Sequence, residues 1–186
     1  MFFHARSKLY VGDNMNLIWY LLFYSFLGFC AEVLYARTTH SAKQDRKCLL
    51  FLPLCPVYGI GATGIVSLPP VIAGHPVLLF FASAVIATGA EYGMSLFYEK
   101  VWGVSFWNYS DLPGNLHGRV CPAFSLIWGL LGLALVYYIH PAVAAAVARI
   151  PAFLAVPVLL LFAIDFILTT ILLRQSHDTR VLIWYR

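Results

Sequence analysis

The sequence predicts an all-α, polytopic membrane helix bundle with about five transmembrane helices. Two observations carry this. Of 186 residues, 61% are hydrophobic and only 11% charged, with a mean hydropathy of +0.80, whereas soluble domains carry roughly a quarter charged residues. The apolar residues also gather into five runs, at 17–36, 49–73, 77–98, 120–139 and 150–173. A spanning helix needs roughly 20 apolar residues, because the hydrocarbon core is about 30 Å thick and each residue rises about 1.5 Å. The runs are continuously apolar rather than alternating, which argues against a β-barrel. Nothing between them is long enough for a soluble unit, so residues 1–186 read as a single transmembrane domain.

The first run is too long for the apolar region of a signal peptide and lacks a small-residue cleavage site, so it reads as a retained helix. The second is interrupted by Pro53, Pro56, Pro69 and Pro70. Proline removes a backbone donor and disfavours helix in the residue before it. Residues 49–54 therefore read as interfacial or re-entrant, with the helix proper starting at Pro56, since proline is tolerated at the first helical position. The fourth run likewise starts at a Cys121-Pro122 step. Between the third and fourth, residues 100–118 combine Trp102, Phe106, Trp107 and Tyr109 with Asp111, Pro113, Gly114, Asn115 and His117. This aromatic loop reads as an interfacial anchor, as a lid over a polar pocket, or as both.

Loop charge orients the bundle. Arg6, Lys8 and Arg149 fall on one side. Arg37, Lys43, Arg46, Lys47, Lys100, Arg119, Arg174, Arg180 and Arg186 fall on the other. Lys and Arg accumulate in short cytoplasmic loops, so the second side is expected to be cytoplasmic, with the N-terminus outside. The net charge of +4 suits a membrane surface, and no basic cluster interleaved with aromatics points to nucleic acid. Cys30, Cys48, Cys55 and Cys121 show no paired metal spacing and no disulfide framework. Neither a metal nor a cofactor is expected.

Ionisable residues inside a span cost several kcal/mol unless they face protein or water, so each is a candidate for function. Glu32, Glu91 and Asp165 are such residues. With the orientation above, all three lie toward the cytoplasmic ends of their helices, where the starts of helices two and four also bring Tyr58 and Arg119. Residues three or four apart share a helix face. Thr88, Glu91, Ser95 and Glu99 thus form one polar stripe, Cys121, Ser125, Gly129 and Gly132 a second of small residues, and Asp165 with Thr169 a third. Such stripes are packing seams or pocket walls. Gly89 and Gly93 form a G-x-x-x-G element that would admit another helix beside Glu91. Gly59, Gly61 and Gly64 match a dinucleotide fingerprint, but no strand precedes them, so close helix packing is the better reading. Arg119 is expected to pair with Glu91 or Glu99, or to hold an anionic headgroup at a helix start. The acceptor pattern Asn108-Tyr109-Ser110 lies on the expected cytoplasmic side and reads as coincidence.

Several strings occur in order: GFCAE at 28–32, PLCPVYGIGA at 53–62, Glu91-Tyr92 with Glu99, WNYS at 107–110, NLHGRVC at 115–121 and SLIWG at 125–129. Together they resemble the type IV ABC-transporter permease family of small bacterial membrane proteins. Asn108 stands where that pattern has an acid. The resemblance implies a bacterial cytoplasmic-membrane permease component. Having no phosphate-binding loop, the chain would need a separate ATPase subunit, and with five spans it would join a homo-oligomer or hetero-complex.

Three functions follow as expectations. The first is a transport component whose cytoplasm-facing pocket of Glu32, Tyr58, Glu91, Glu99, Asn115, His117, Arg119 and Asp165 binds a cation or polar substrate. The second is a membrane-embedded enzyme acting on a lipid or isoprenoid headgroup, with Glu91 or Glu99 as base and Arg119 as anion clamp. The third is an assembly subunit. The transport reading is preferred.

Overall fold

The computed structural model describes residues 14–40 and 47–183, with side chains from Asn16 onward. Arg6, Lys8, Lys43, Arg46 and Arg186, which enter the charge argument, lie outside the described residues. Helices make up nearly all the regular structure: α1 (Asn14–Thr38), α2 (Pro56–Val66), α3 (Pro70–Ala73), α4 (Pro76–Phe97), α5 (Pro122–Ala134), α6 (His140–Val147) and α7 (Ala155–Ser176). Four continuous stretches are long and apolar enough to cross a bilayer: Asn16–Thr38, Pro76–Trp102, Pro122–Val147 and Ala152–Ser176. Large apolar side chains such as Val85, Leu130, Leu160 and Leu161 stand outward on them, as lipid-facing surfaces require.

The second apolar run differs from the others. Residues 49–54 are not helical, and α2 begins at Pro56, behind a Cys55 held in extended conformation. At about 1.5 Å per residue its 11 residues rise roughly 16 Å, about half the hydrocarbon thickness. The irregular segment of residues 49–54 precedes it. Cys55 N–H donates to the Ser25 carbonyl midway along α1, at 3.0 Å, so this segment reaches into the bundle. Non-helical backbone is tolerated at such depth only where protein satisfies it.

Other boundaries also move. The third helix runs on from α4 through a π-turn at Tyr98–Trp102 and stops at Gly103, whose φ of 71° is the left-handed conformation that glycine adopts without penalty. The fourth continues past residue 139 to Val147 through a π-turn at Leu135–Ile139. Pro141 explains that turn: a proline inside a helix removes one hydrogen bond and clashes with the carbonyl four residues back, and a π-bulge widens the spiral there. The alanine-rich stretch beyond is strong helix former.

Packing follows the small residues. A Cβ on Gly59 would run into the Leu21 carbonyl and Ser25 Oγ, one on Gly28 into the Tyr58 side chain, and one on Gly64 into Ile86. The glycines around α2 are therefore its contact faces with α1 and α4, as the packing reading expects. Gly129 and Gly132 seat Phe80 and Ser83 in the same way, joining α5 to α4. Gly89 and Gly93 differ: nothing lies within 4 Å of a Cβ at either position. No described helix of this chain approaches beside Glu91 on that face, because the α4 contacts are made from its other side.

Two apolar clusters hold the bundle. One joins Tyr20 and Tyr24 to Ile65, Val66, Leu79, Val136 and Val143. The other joins Leu22, Leu49 and Leu54 to Tyr98, Trp102, Leu173 and Leu182. The rings of the aromatic loop turn inward into the second: Trp102 is fully buried and stacks on Tyr98, which Phe106 and Trp107 meet edge-on.

Candidate functional site: two carboxylates on neutral donors

The chain brings the candidate acids to three separate settings. The first is centred on Glu91, which α4 carries inward on the face shared with Ser83 and Ser95. It is 5% exposed. One carboxylate oxygen accepts from Tyr109 OH at 2.9 Å, the other from the Trp128 indole N–H at 3.0 Å. Trp128 also meets the Tyr58 ring edge-on, with centroids 5.8 Å apart, and Tyr58 OH donates to Glu32 at 2.5 Å. The two carboxylates lie close enough to interact electrostatically. Five side chains from α1, α2, α4, α5 and the aromatic loop thus converge on one half-buried cluster. Tyr109, the loop's contribution, stacks on Phe124 at 4.8 Å. Burial first, then the adjacent Glu91 carboxylate, hold its phenol above the ordinary value of 10.0, so it remains a donor.

The second setting lies at the loop mouth. Arg119 pairs with Glu99, the alternative to Glu91 that spacing left open. Its guanidinium also lies over the Tyr92 ring, 5.5 Å from the centroid, while Tyr92 OH and His117 Nδ1 are 2.9 Å apart. His117 is exposed, and the donors to Glu91 are Tyr109 and Trp128 rather than Arg119 or His117. Asn115 is turned away from both: its amide donates to the Ser110 and Leu112 carbonyls, and its oxygen accepts from Gly118 N–H. It ties the loop together. Asn108 does so too, accepting from Ser110 N–H and OH.

The third setting explains Asp165. It is 2% exposed on α7, and its carboxylate accepts from Phe51 N–H and Leu52 N–H, at 2.7 Å in the latter case. Thr169, one turn on, accepts from Leu50 N–H and donates to Asp165. Lys47, counted above among the cations of the expected cytoplasmic side, is buried and donates to the Leu50 carbonyl at 2.6 Å. Asp165 is thus engaged by the broken segment, not by the glutamates. Sequence reading places Asp165 in one pocket with Glu32 and Glu91; its carboxylate instead accepts from the Phe51 and Leu52 N–H groups of the broken segment.

Residue spacing alone does not flag Tyr109, Trp128 or Tyr92 as partners. The signal was present, since WNYS and SLIWG contain the first two and Glu91-Tyr92 the third. An open groove of roughly 450 Å³ runs along α4 and α5, lined by Val85, Thr88, Gly89, Tyr92, Leu116 and Ser125. Thr88 OH donates to Ser125 there at 2.8 Å, which makes the α5 stripe a seam with α4.

Comparison with known families agrees with the ordered strings. The family described as "Putative ABC-transporter type IV" matches residues 19–171. The chain belongs to that family. No curated protein and no solved structure matches it. Membership makes this an ABC-transporter-type membrane component, with four apolar helices of spanning length and one shorter among the described residues.

Proposed function

We propose that this type IV family member is the membrane-embedded part of a transport complex, and that Glu32 and Glu91 form its binding site for a cation or a protonated polar group. One observation carries the reading. Glu91 is buried, and the donors on its two oxygens, Tyr109 and Trp128, are both neutral. A buried carboxylate costs several kcal/mol unless its charge is matched, and a second carboxylate stands nearby. Neutral hydrogen bonds orient such a charge without cancelling it, so a proton or a cationic ligand would complete the site.

The remaining residues take supporting parts. Tyr58 and Trp128 couple the two acids, and the loop presents Tyr109 as a lid that is also a ligand-orienting donor. The broken segment before α2 is the element whose packing alternates as the site fills. Loop charge supports a cytoplasmic face for this end, with the N-terminus outside, in a bacterial cytoplasmic membrane. A separate ATPase subunit would supply energy, in a homo-oligomer or hetero-complex of this single domain. The headgroup-enzyme reading has less behind it, because the charge of Arg119 is already matched by Glu99.

Glu91→Gln in the complex purified with its ATPase tests the proposal. Loss of substrate-stimulated ATP hydrolysis with complex yield unchanged is the expected result. Full stimulation by that variant would exclude Glu91 as a ligand, and reduced yield alone would favour an assembly role.

A further inference from the structure

The cysteines contain a pair that sequence spacing does not flag. Cys48 and Cys55 stand at the two ends of the irregular segment that precedes α2, and their sulfurs are 3.2 Å apart. Both are buried, Cys55 at 1% exposure and Cys48 at 6%. Tyr98, fully buried on the π-turn, packs in one apolar cluster with Leu49 and Leu54 of the same segment and carries a hydroxyl for which the described residues provide no hydrogen-bond partner. Cys121 belongs to a different place, on the groove at the start of α5, and Cys30 is exposed on α1.

The geometry points to Cys48 and Cys55 as a redox-active dithiol that closes to a disulfide with a peroxide as oxidant. Two sulfurs already in contact need no backbone rearrangement of the segment to meet, only rotation about the side-chain bonds. A small neutral peroxide is the oxidant class that such a buried pair admits, since larger disulfides need an exposed sulfur for in-line attack. The Cys48 sulfur, the less enclosed, attacks one peroxide oxygen, breaks the O–O bond and becomes a sulfenic acid, while the departing hydroxide takes the thiol proton as water. The Cys55 sulfur then attacks the sulfenyl sulfur and forms the S–S bond. The sulfenic oxygen leaves as a second water with the Cys55 proton. Two thiols and one peroxide give one disulfide and two waters.

The consequence is local. The same segment donates Leu50, Phe51 and Leu52 N–H groups to Thr169 and Asp165 and Cys55 N–H to α1. A bridge across it would fix the start of α2, three residues before Gly59 meets α1.

The test treats the full-length protein in lipid nanodiscs with graded hydrogen peroxide, then unfolds it, alkylates the remaining thiols with N-ethylmaleimide and maps them by mass spectrometry. The peptide carrying both sulfurs should appear two hydrogens lighter and unalkylated at both, and dithiothreitol should restore both sites. In Cys55→Ser, dimedone should trap a sulfenic acid at Cys48 and no bridge should form. The wild-type result stands by itself should that variant fold poorly. The inference is overturned if both sulfurs still take maleimide at a dose that oxidises Cys30, if Cys48 proceeds to sulfinic acid unbridged, or if either sulfur bridges to another cysteine.

Discussion

At the scale of single residues, Glu91 and Asp165 show how two buried acids in one membrane bundle acquire different work. Asp165 accepts from the Phe51 and Leu52 N–H groups of the non-helical, proline-broken segment, so it ties that segment to α7. Asp165→Ala should leave at least one of those groups unsatisfied, at about 1–3 kcal/mol each. A fall in the thermal midpoint of the detergent-solubilised protein would report it, and an unchanged midpoint would show the segment held elsewhere. Glu91 meets side-chain donors only, so Glu91→Gln, which keeps the shape and removes the charge, should leave that midpoint nearly unchanged or raise it. Tyr109 adds a pH dependence. Its phenol is held above 10.0 in the folded chain by burial and by Glu91, whereas the unfolded chain ionises near the ordinary value. The stability carried by this tie is therefore fully present below 10.0 and declines as pH rises beyond it. Melting of wild type against Tyr109→Phe should show a constant difference from neutral pH up to that point and a shrinking one above.

At the scale of elements, glycine separates contact faces from open ones. Gly59 lies against the Leu21 carbonyl, a backbone atom that cannot rotate away, whereas Gly89 has nothing within 4 Å. Gly59→Ala should force α2 from α1 and cost on the order of 1–3 kcal/mol, as overpacking does. Gly89→Ala should be neutral or stabilising by up to about 1 kcal/mol, from helix propensity alone. Paired melts of the two variants decide this, and a destabilised Gly89→Ala would reveal a neighbour supplied by another chain. The helices, the proline-broken second run and the start of α2 at Pro56 were all legible in the sequence, because each depends on local rules of hydropathy and proline geometry. Helix ends were not: the fourth helix outruns its apolar run to Val147 because a π-turn absorbs Pro141, an adjustment that no residue count signals.

At the scale of the whole molecule, the membrane orientation rests on nine cations against three, and it is directly measurable. A cysteine introduced at Lys100, in a background lacking the natural four, should react with an impermeant maleimide in inside-out vesicles and not in intact cells. The reverse labelling would invert the bundle and place the Glu91 cluster outside. The sequence by itself determined that this chain dissolves in lipid, that its helices break where proline stands, and that Glu32, Glu91 and Asp165 need partners, since these follow from composition and from the cost of burying charge. Only tertiary structure decided which partners they have. Asp165 went to a backbone 114 residues away in the chain at Phe51, Arg119 to Glu99, and Glu91 to two aromatic donors. Hydrogen bonds are directional and short-ranged, so their assignment depends on how helices rotate and approach, and that is settled by the packing of small residues across the whole bundle.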